Sequence, residues 1–279
     1  MADSFGSELT PRDWKLFDDW HPPGDTGRAF PNWQPVVDLL SAFSGAVNEY
    51  YADLYGLLKQ WDSVLHDFGG DPTYRDWRKF RPLRLSREED WSDWLAFLIE
   101  SSQTGVFCAC LLHDPPSGLN THIRAINVER EVAQNYYRGD IIVHWSGGFS
   151  SHIEVKIGDA NLLKMYDTGR ELRAKYGKKK DEWKNFILLL PEQVAAWEGL
   201  PAAPSEEPPI QALTWEDIAI ALRRGLHCDE TSLWKAWAYG FVGAIEQQLL
   251  MYPGYRLESR RAEGISTKIR ILREGLRSV

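Results

Sequence analysis

Three side chains near the middle of the chain, Asp140, Glu154 and Lys156, have the types and spacing for phosphate chemistry at a divalent metal. His152 to Ile157 alternates with period two, which is strand patterning. Glu154 and Lys156 therefore share one face, and Ile153, Val155 and Ile157 the other. The same alternation in Asp140 to Trp145 sets Asp140, Ile142 and His144 against Ile141, Val143 and Trp145. Between them, Ser146, Gly147, Gly148, Phe149 and Ser150 supply hairpin-turn chemistry, so the two strands are predicted to pair. A register that sets Asp140 opposite Glu154 or Lys156 brings their Cβ atoms to about 5 Å, whereas a slip of one residue scatters the set over both faces. Two carboxylates that close repel unless a cation neutralises them, and hard oxygen ligands at about 2.1 Å suit Mg²⁺ or Mn²⁺. A lysine beside such a metal can hold the attacking water or stabilise charge on a pentacovalent phosphorus, while the metal lowers the pKa of bound water.

Other elements must hold this hairpin in place. The first 30 residues are polar, with Pro22, Pro23, Gly24 and Gly27, and read as a loop or loosely tethered arm. From Val36 to Leu65, apolar residues recur at spacings of three and four, which predicts a long helix or a broken helical pair ended by Gly69, Gly70 and Pro72. A second helix opens with Ser86 followed by Glu89, a capping-box signature, and sets Trp91, Trp94, Leu95, Leu98 and Ile99 along one face. Val106 to Leu112 reads as a buried strand or a helix tail, and Ile123 to Gln134 as a strand. After the hairpin come a helix from Ala160 to about Tyr176, a central strand from Phe186 to Leu190 and a Pro-rich linker from Pro201 to Pro209. Helices over Thr214–Arg224, Ser232–Leu250 and Ile265–Leu276 complete the chain. The expected division is an N-terminal arm and helical segment over 1–85, an α/β core over 86–225 and C-terminal helices over 226–279.

The segments Arg138-Gly139-Asp140-Ile141-Ile142-Val143 and Ile153-Glu154-Val155-Lys156-Ile157, after an acidic helix and before a helix and an apolar strand, resemble the PD-(D/E)XK nuclease superfamily. The likeness covers roughly residues 86 to 192. It implies a restriction-endonuclease-like mixed sheet flanked by helices, and phosphodiester hydrolysis with Mg²⁺ or Mn²⁺. By that resemblance Asp140 and Glu154 are metal ligands, Lys156 is the catalytic lysine, and an acidic residue of the first helix completes the site, with Glu89 expected ahead of Glu88. Nucleic acid is the implied partner, DNA ahead of RNA, in bacterial defence or repair. A homo-oligomer or a protein partner stays open. The alternative is a catalytically inactive relative that kept the fold and works as a binding or regulatory protein. Many RecB-like members carry a Gln-x-x-x-Tyr element on the helix after the lysine, whereas this chain offers Asn161 and Tyr166, with Leu162 where the glutamine falls.

Further signals bear on recognition. Arg75, Arg78, Arg81 and Arg84 are interleaved with Tyr74, Trp77 and Phe80, a pattern that suits phosphate contact plus base stacking and equally a solvated loop. Lys178 to Lys180 read as a solvated loop, and His144 as a hydrogen-bonded residue of the Asp140 face. His152-Ile153-Glu154 matches the opening half of a zinc deaminase signature, but only Cys228 lies downstream to supply the cysteine half. No Gly-x-Ser-x-Gly, Walker A or His-Glu-x-x-His motif occurs. The net charge of −8 argues against a generally basic nucleic-acid coat without excluding a local basic groove on an acidic body. Cys108, Cys110 and Cys228 are too few for a disulfide framework, which predicts a reducing, cytoplasmic setting. Neither a signal peptide nor an uncharged apolar run of membrane length is read in the sequence, and no membrane partner is expected.

Overall fold

The fold was described from a computed structural model, which covers residues 34–75, 85–112, 123–158, 164–199, 207–250 and 262–277. The chain divides into two units, residues 1–47 and 48–279. The opening turns of helix α1, Gln34–Val64, belong to the first, where Leu39, Leu40 and Phe43 are exposed. In the second, Leu54, Leu57, Leu58, Trp61 and Leu65 follow the predicted spacing and are buried.

The centre of the second unit is a five-stranded mixed sheet in the order β1-β2-β3-β4-β5. Its strands are β1 (Ala125–Gln134), β2 (Tyr137–Trp145), β3 (Ser150–Val155), β4 (Trp183–Leu189) and β5 (Ile210–Thr214). β1, β2 and β3 form an antiparallel meander, whereas β4 runs parallel to β3, and β5 parallel to β4. The switch follows from the connections: short turns join the meander, and the β3–β4 crossover carries helix α4, Lys164–Lys175. The overall class is α/β.

One face of the sheet presents Ile141, Val143, Ile153, Val155, Phe186 and Leu188 to the main core. Against the strands lie α2 (Glu88–Ser101) and α6 (Trp215–His227), on which α3 (Val106–Leu111), α7 (Ser232–Ala244) and α8 (Ala262–Leu276) pack in turn. The other face carries Ile142 and Trp183, packed with Leu172 of α4. Ile187 and Leu189 complete that face, packed with Met165 of α4 and with Val194 and Trp197 of α5, Pro191–Glu198. The C-terminal helices share one core with the sheet.

Several local expectations change. Helix α2 starts at Glu88, and its N-terminal carboxylate cap is Asp90, which accepts from the Ser86 and Arg87 backbone N–H groups at 2.9 Å each. The predicted Ser86–Glu89 box is therefore displaced by one residue. Val106–Leu111 resolves to helix, packing Phe107 and Cys108 into the core. β5 was hidden in the sequence because Ile-Gln-Ala-Leu-Thr is short and half polar; its place is fixed by pairing with β4. The apolar run after Ser232 ends its regular helix at Ala244 and continues as a π turn over Ile245–Leu249. Among the described residues, no helix is long and apolar enough to cross a membrane.

Candidate active site

The β2–β3 register decides whether the polar face assembles. Ile141 pairs with Ile153 and His144 with Ser150, and Asp140 and Glu154 are the residues next to the Ile141–Ile153 pair. Asp140 lies near the start of β2, and Glu154 near the end of β3, where the antiparallel arrangement brings them to the same end of the sheet. Asp140 is fixed by the Val155 backbone N–H, which donates to its Oδ2 at 2.8 Å.

Lys156 follows at the end of β3, its backbone held by an N–H bond to Leu188 O of 2.9 Å. The indole of Trp215 donates to its carbonyl at 3.1 Å. Its ammonium reaches Glu154 Oε1 at 2.9 Å and Glu88 Oε2 at 3.7 Å, with the lysine and Glu154 side chains only 13% and 15% exposed. Glu88 Oε1 also accepts the Ile157 backbone N–H at 3.0 Å, tying the first turn of α2 to the end of β3.

The helix carboxylate that reaches the lysine is thus Glu88. Glu89, the residue expected there, points instead toward Arg138 at 3.6 Å. Spacing alone does not separate the two, since Trp91 and Leu95 follow Glu88 and Ser92 and Ala96 follow Glu89 at the same offsets, all buried; the bond from the Ile157 N–H selects Glu88. Glu89 is one helical step further round.

Three carboxylates and one ammonium gather here, and their ionisation is unequal. Burial first, and then the charge of Glu154, push Asp140 up to about 6. Burial also opposes ionisation of Glu154, but His152 and Lys156 outweigh it and hold Glu154 below its ordinary value. For Lys156, burial favours the neutral amine, and Glu154, Glu88 and Asp140 together overrule it, so the lysine is held charged. Among the described residues, no three His, Cys, Asp or Glu side chains are grouped to hold a metal. Mg²⁺ nevertheless binds through one or two carboxylates, with water and phosphate oxygens completing its shell. Asp140 and Glu154 fit that requirement: they repel each other, and the buried Glu154 Oε2 has no hydrogen-bond partner among the described residues, only a 3.3 Å contact with His152 Nε2.

The other singled-out residues are placed elsewhere. Of the arginine cluster, Arg78, Arg81 and Arg84 lie outside the described residues. Arg75 donates to Phe68 O at 2.7 Å and packs over the Tyr239 ring. Tyr166 lies on α4, and Asn161 and Leu162 fall outside the described residues. His144 Nδ1 meets Ser150 Oγ at 2.8 Å and its Nε2 meets Glu129 Oε1 at 3.1 Å, while Tyr176 donates to Glu129 Oε2 at 2.8 Å. Lys178 Nζ donates to Gly148 O at 3.2 Å. Burial pushes the Cys108 thiol up to about 12, which leaves it an inert core group. Compared with family models, with curated proteins and with solved structures, the chain matches none.

Proposed function

We propose that the chain is a divalent-metal-dependent nuclease with a restriction-endonuclease-like core, acting on nucleic acid, DNA ahead of RNA. The observation that carries the reading is the convergence of Asp140, Glu154, Lys156 and Glu88 at one end of the sheet, in a cluster with an excess of negative charge. Asp140 and Glu154 would hold Mg²⁺ or Mn²⁺. The ion, when bound, supplies Lewis acidity and a water of lowered pKa.

The remaining work belongs to the protein. The Val155 N–H fixes the Asp140 carboxylate, so its other oxygen is free to face the ion. Glu88 and Glu154 keep the Lys156 ammonium charged and restrict its reach, placing a cation beside the carboxylates where negative charge on phosphorus develops. Net-charge arithmetic supports an incoming cation: three carboxylates against one lysine leave the site anionic, and a bare phosphodiester would be repelled from it.

The test is a cleavage panel of single- and double-stranded DNA and RNA with Mg²⁺ and with Mn²⁺, run on wild type and Lys156→Ala. Wild type is expected to cut at least one substrate, and Lys156→Ala to lose about 10²- to 10³-fold while keeping a cooperative melting curve. Undiminished cleavage by the folded variant removes the assigned role of the lysine. Binding without cleavage by wild type across the panel favours the inactive binding protein.

A further inference from the structure

Buried polar atoms without a hydrogen-bond partner are few among the described residues, and three of them meet at one spot: Nδ1 and Nε2 of His152 and Oε2 of Glu154. His152 is fully buried and stands two residues before Glu154 on β3, so both side chains leave the same face of the strand. Its Nε2 is 3.3 Å from Glu154 Oε2, in contact but outside hydrogen-bonding geometry.

The ring has no room to withdraw. Gly139, the neighbour of Asp140 on β2, is pressed against it: a Cβ at that position would lie 2.8 Å from His152 Nε2 and 2.5 Å from Leu172 Cδ1. On the far side His152 pairs along the ladder with Asn185, whose side-chain oxygen is taken by the Trp183 indole at 2.8 Å. Burying Nδ1 without a hydrogen-bond partner and Nε2 with no more than the Glu154 contact costs free energy that an apolar side chain of equal volume would avoid. Among the described residues, the polar group that its Nε2 contacts is the Glu154 carboxylate, and a requirement for the imidazole would come from there.

We propose that His152 is a positioning residue for Glu154: its ring blocks the inward swing of the carboxylate, and its Nε2–H is the donor kept for Oε2, so that Glu154 is held facing Asp140. The task assigned to Glu154 rests on the nuclease reading, whereas the contact between the two side chains does not.

Two measurements test it on the full chain. The first compares His152→Leu, His152→Gln and His152→Asn by calorimetric titration with Mn²⁺ and by cleavage. Leucine keeps volume without a donor; glutamine places an amide N–H near the Nε2 position; asparagine reaches only the Nδ1 position. A loss of about 10- to 100-fold in Mn²⁺ affinity or turnover is expected for leucine and asparagine, with most of it recovered by glutamine. Equal behaviour of the glutamine and asparagine variants would overturn the proposal, and that comparison stands even if the leucine variant does not fold. The second is a double-mutant cycle of His152→Asn, which withdraws the donor from the Nε2 position, and Glu154→Gln, read by urea midpoints in metal-free protein. Non-additive shifts are expected, and additive ones overturn the proposal. A wild type that neither binds Mn²⁺ nor cleaves would sink the nuclease reading, and the metal-free cycle would still decide whether His152 holds Glu154.

Discussion

Asp140 and Glu154 lie at the same end of β2 and β3, yet burial and the neighbouring charge push only Asp140 up, to about 6. The sign of the consequence is fixed by linkage. A carboxyl whose folded pKa lies above its unfolded value keeps its proton in the folded state where the unfolded chain has lost it, so folding stability falls as pH rises from about 4 to about 6. Above that window the ionised Asp140 is a cost of up to about 3 kcal/mol in the metal-free protein. Asp140→Asn removes this cost and keeps an oxygen for the Val155 N–H. In the presence of a chelator, the variant is expected to melt above wild type at pH 7 to 8, and the gap to close near pH 4. With Mn²⁺ added, wild type is expected to gain stability by mass action, and the variant to gain less. Melting curves across pH, with chelator and with Mn²⁺, check both statements. A variant no more stable than wild type at pH 7 without metal would show that the repulsion is already relieved.

Between elements, two contacts carry consequences. A buried network joins the turn at Pro72–Tyr74 to α6, the π turn and α8: Arg223 Nη1 meets Asp71 Oδ2 at 2.8 Å, its Nε meets Glu246 Oε1 at 2.7 Å, and Lys268 contacts both acids. Burial alone would raise Asp71, but Arg223 and Lys268 hold it well below the usual carboxylate range. Asp71→Asn leaves two buried cations to one carboxylate, and is expected to cost about 3 to 5 kcal/mol by urea denaturation. The second contact is between the sheet and α4 at Gly139. Gly139→Ala forces its new methyl against Leu172 and His152, so a loss of about 1 to 3 kcal/mol is expected, read in the same denaturation assay. An unchanged midpoint for either variant would mean that the elements shift apart easily.

At the scale of the molecule, a net charge of −8 means that recruitment of a polyanion depends on local basic groups. Arg75 is engaged by Phe68 O and the Tyr239 ring, so replacing it is expected to weaken packing as well as charge. The cleaner test uses Arg78, Arg81 and Arg84. Changing these three to alanine is expected to lower the double-logarithmic salt slope of nucleic-acid binding by roughly 0.7 to 0.9 for each phosphate that an arginine no longer neutralises. Binding titrations at several salt concentrations measure it, and an unchanged slope assigns the segment to solvent.

The pieces of the site are legible along the chain. Period-two alternation fixed which of Asp140, Ile142, Glu154 and Lys156 share a face, because side-chain direction along a strand is a local property. Spacing of three and four located the buried stripe of α2, but it did not settle Glu88 against Glu89, since Trp91 and Leu95 follow the one and Ser92 and Ala96 the other at the same offsets, and all four are buried. Every quantity that depends on a second element came from tertiary packing. The Ile141–Ile153 register, which brings Asp140 and Glu154 to one end of the sheet, is set by packing of these two residues into one core. β5 exists because β4 offers it an edge. The acidic partner of Lys156 depends on α2 docking its first turn against the end of β3. His152 became visible only once Gly139 and Leu172 were seen to close around it, since the confinement of a side chain is a property of its neighbours in space and leaves no periodic trace along the chain.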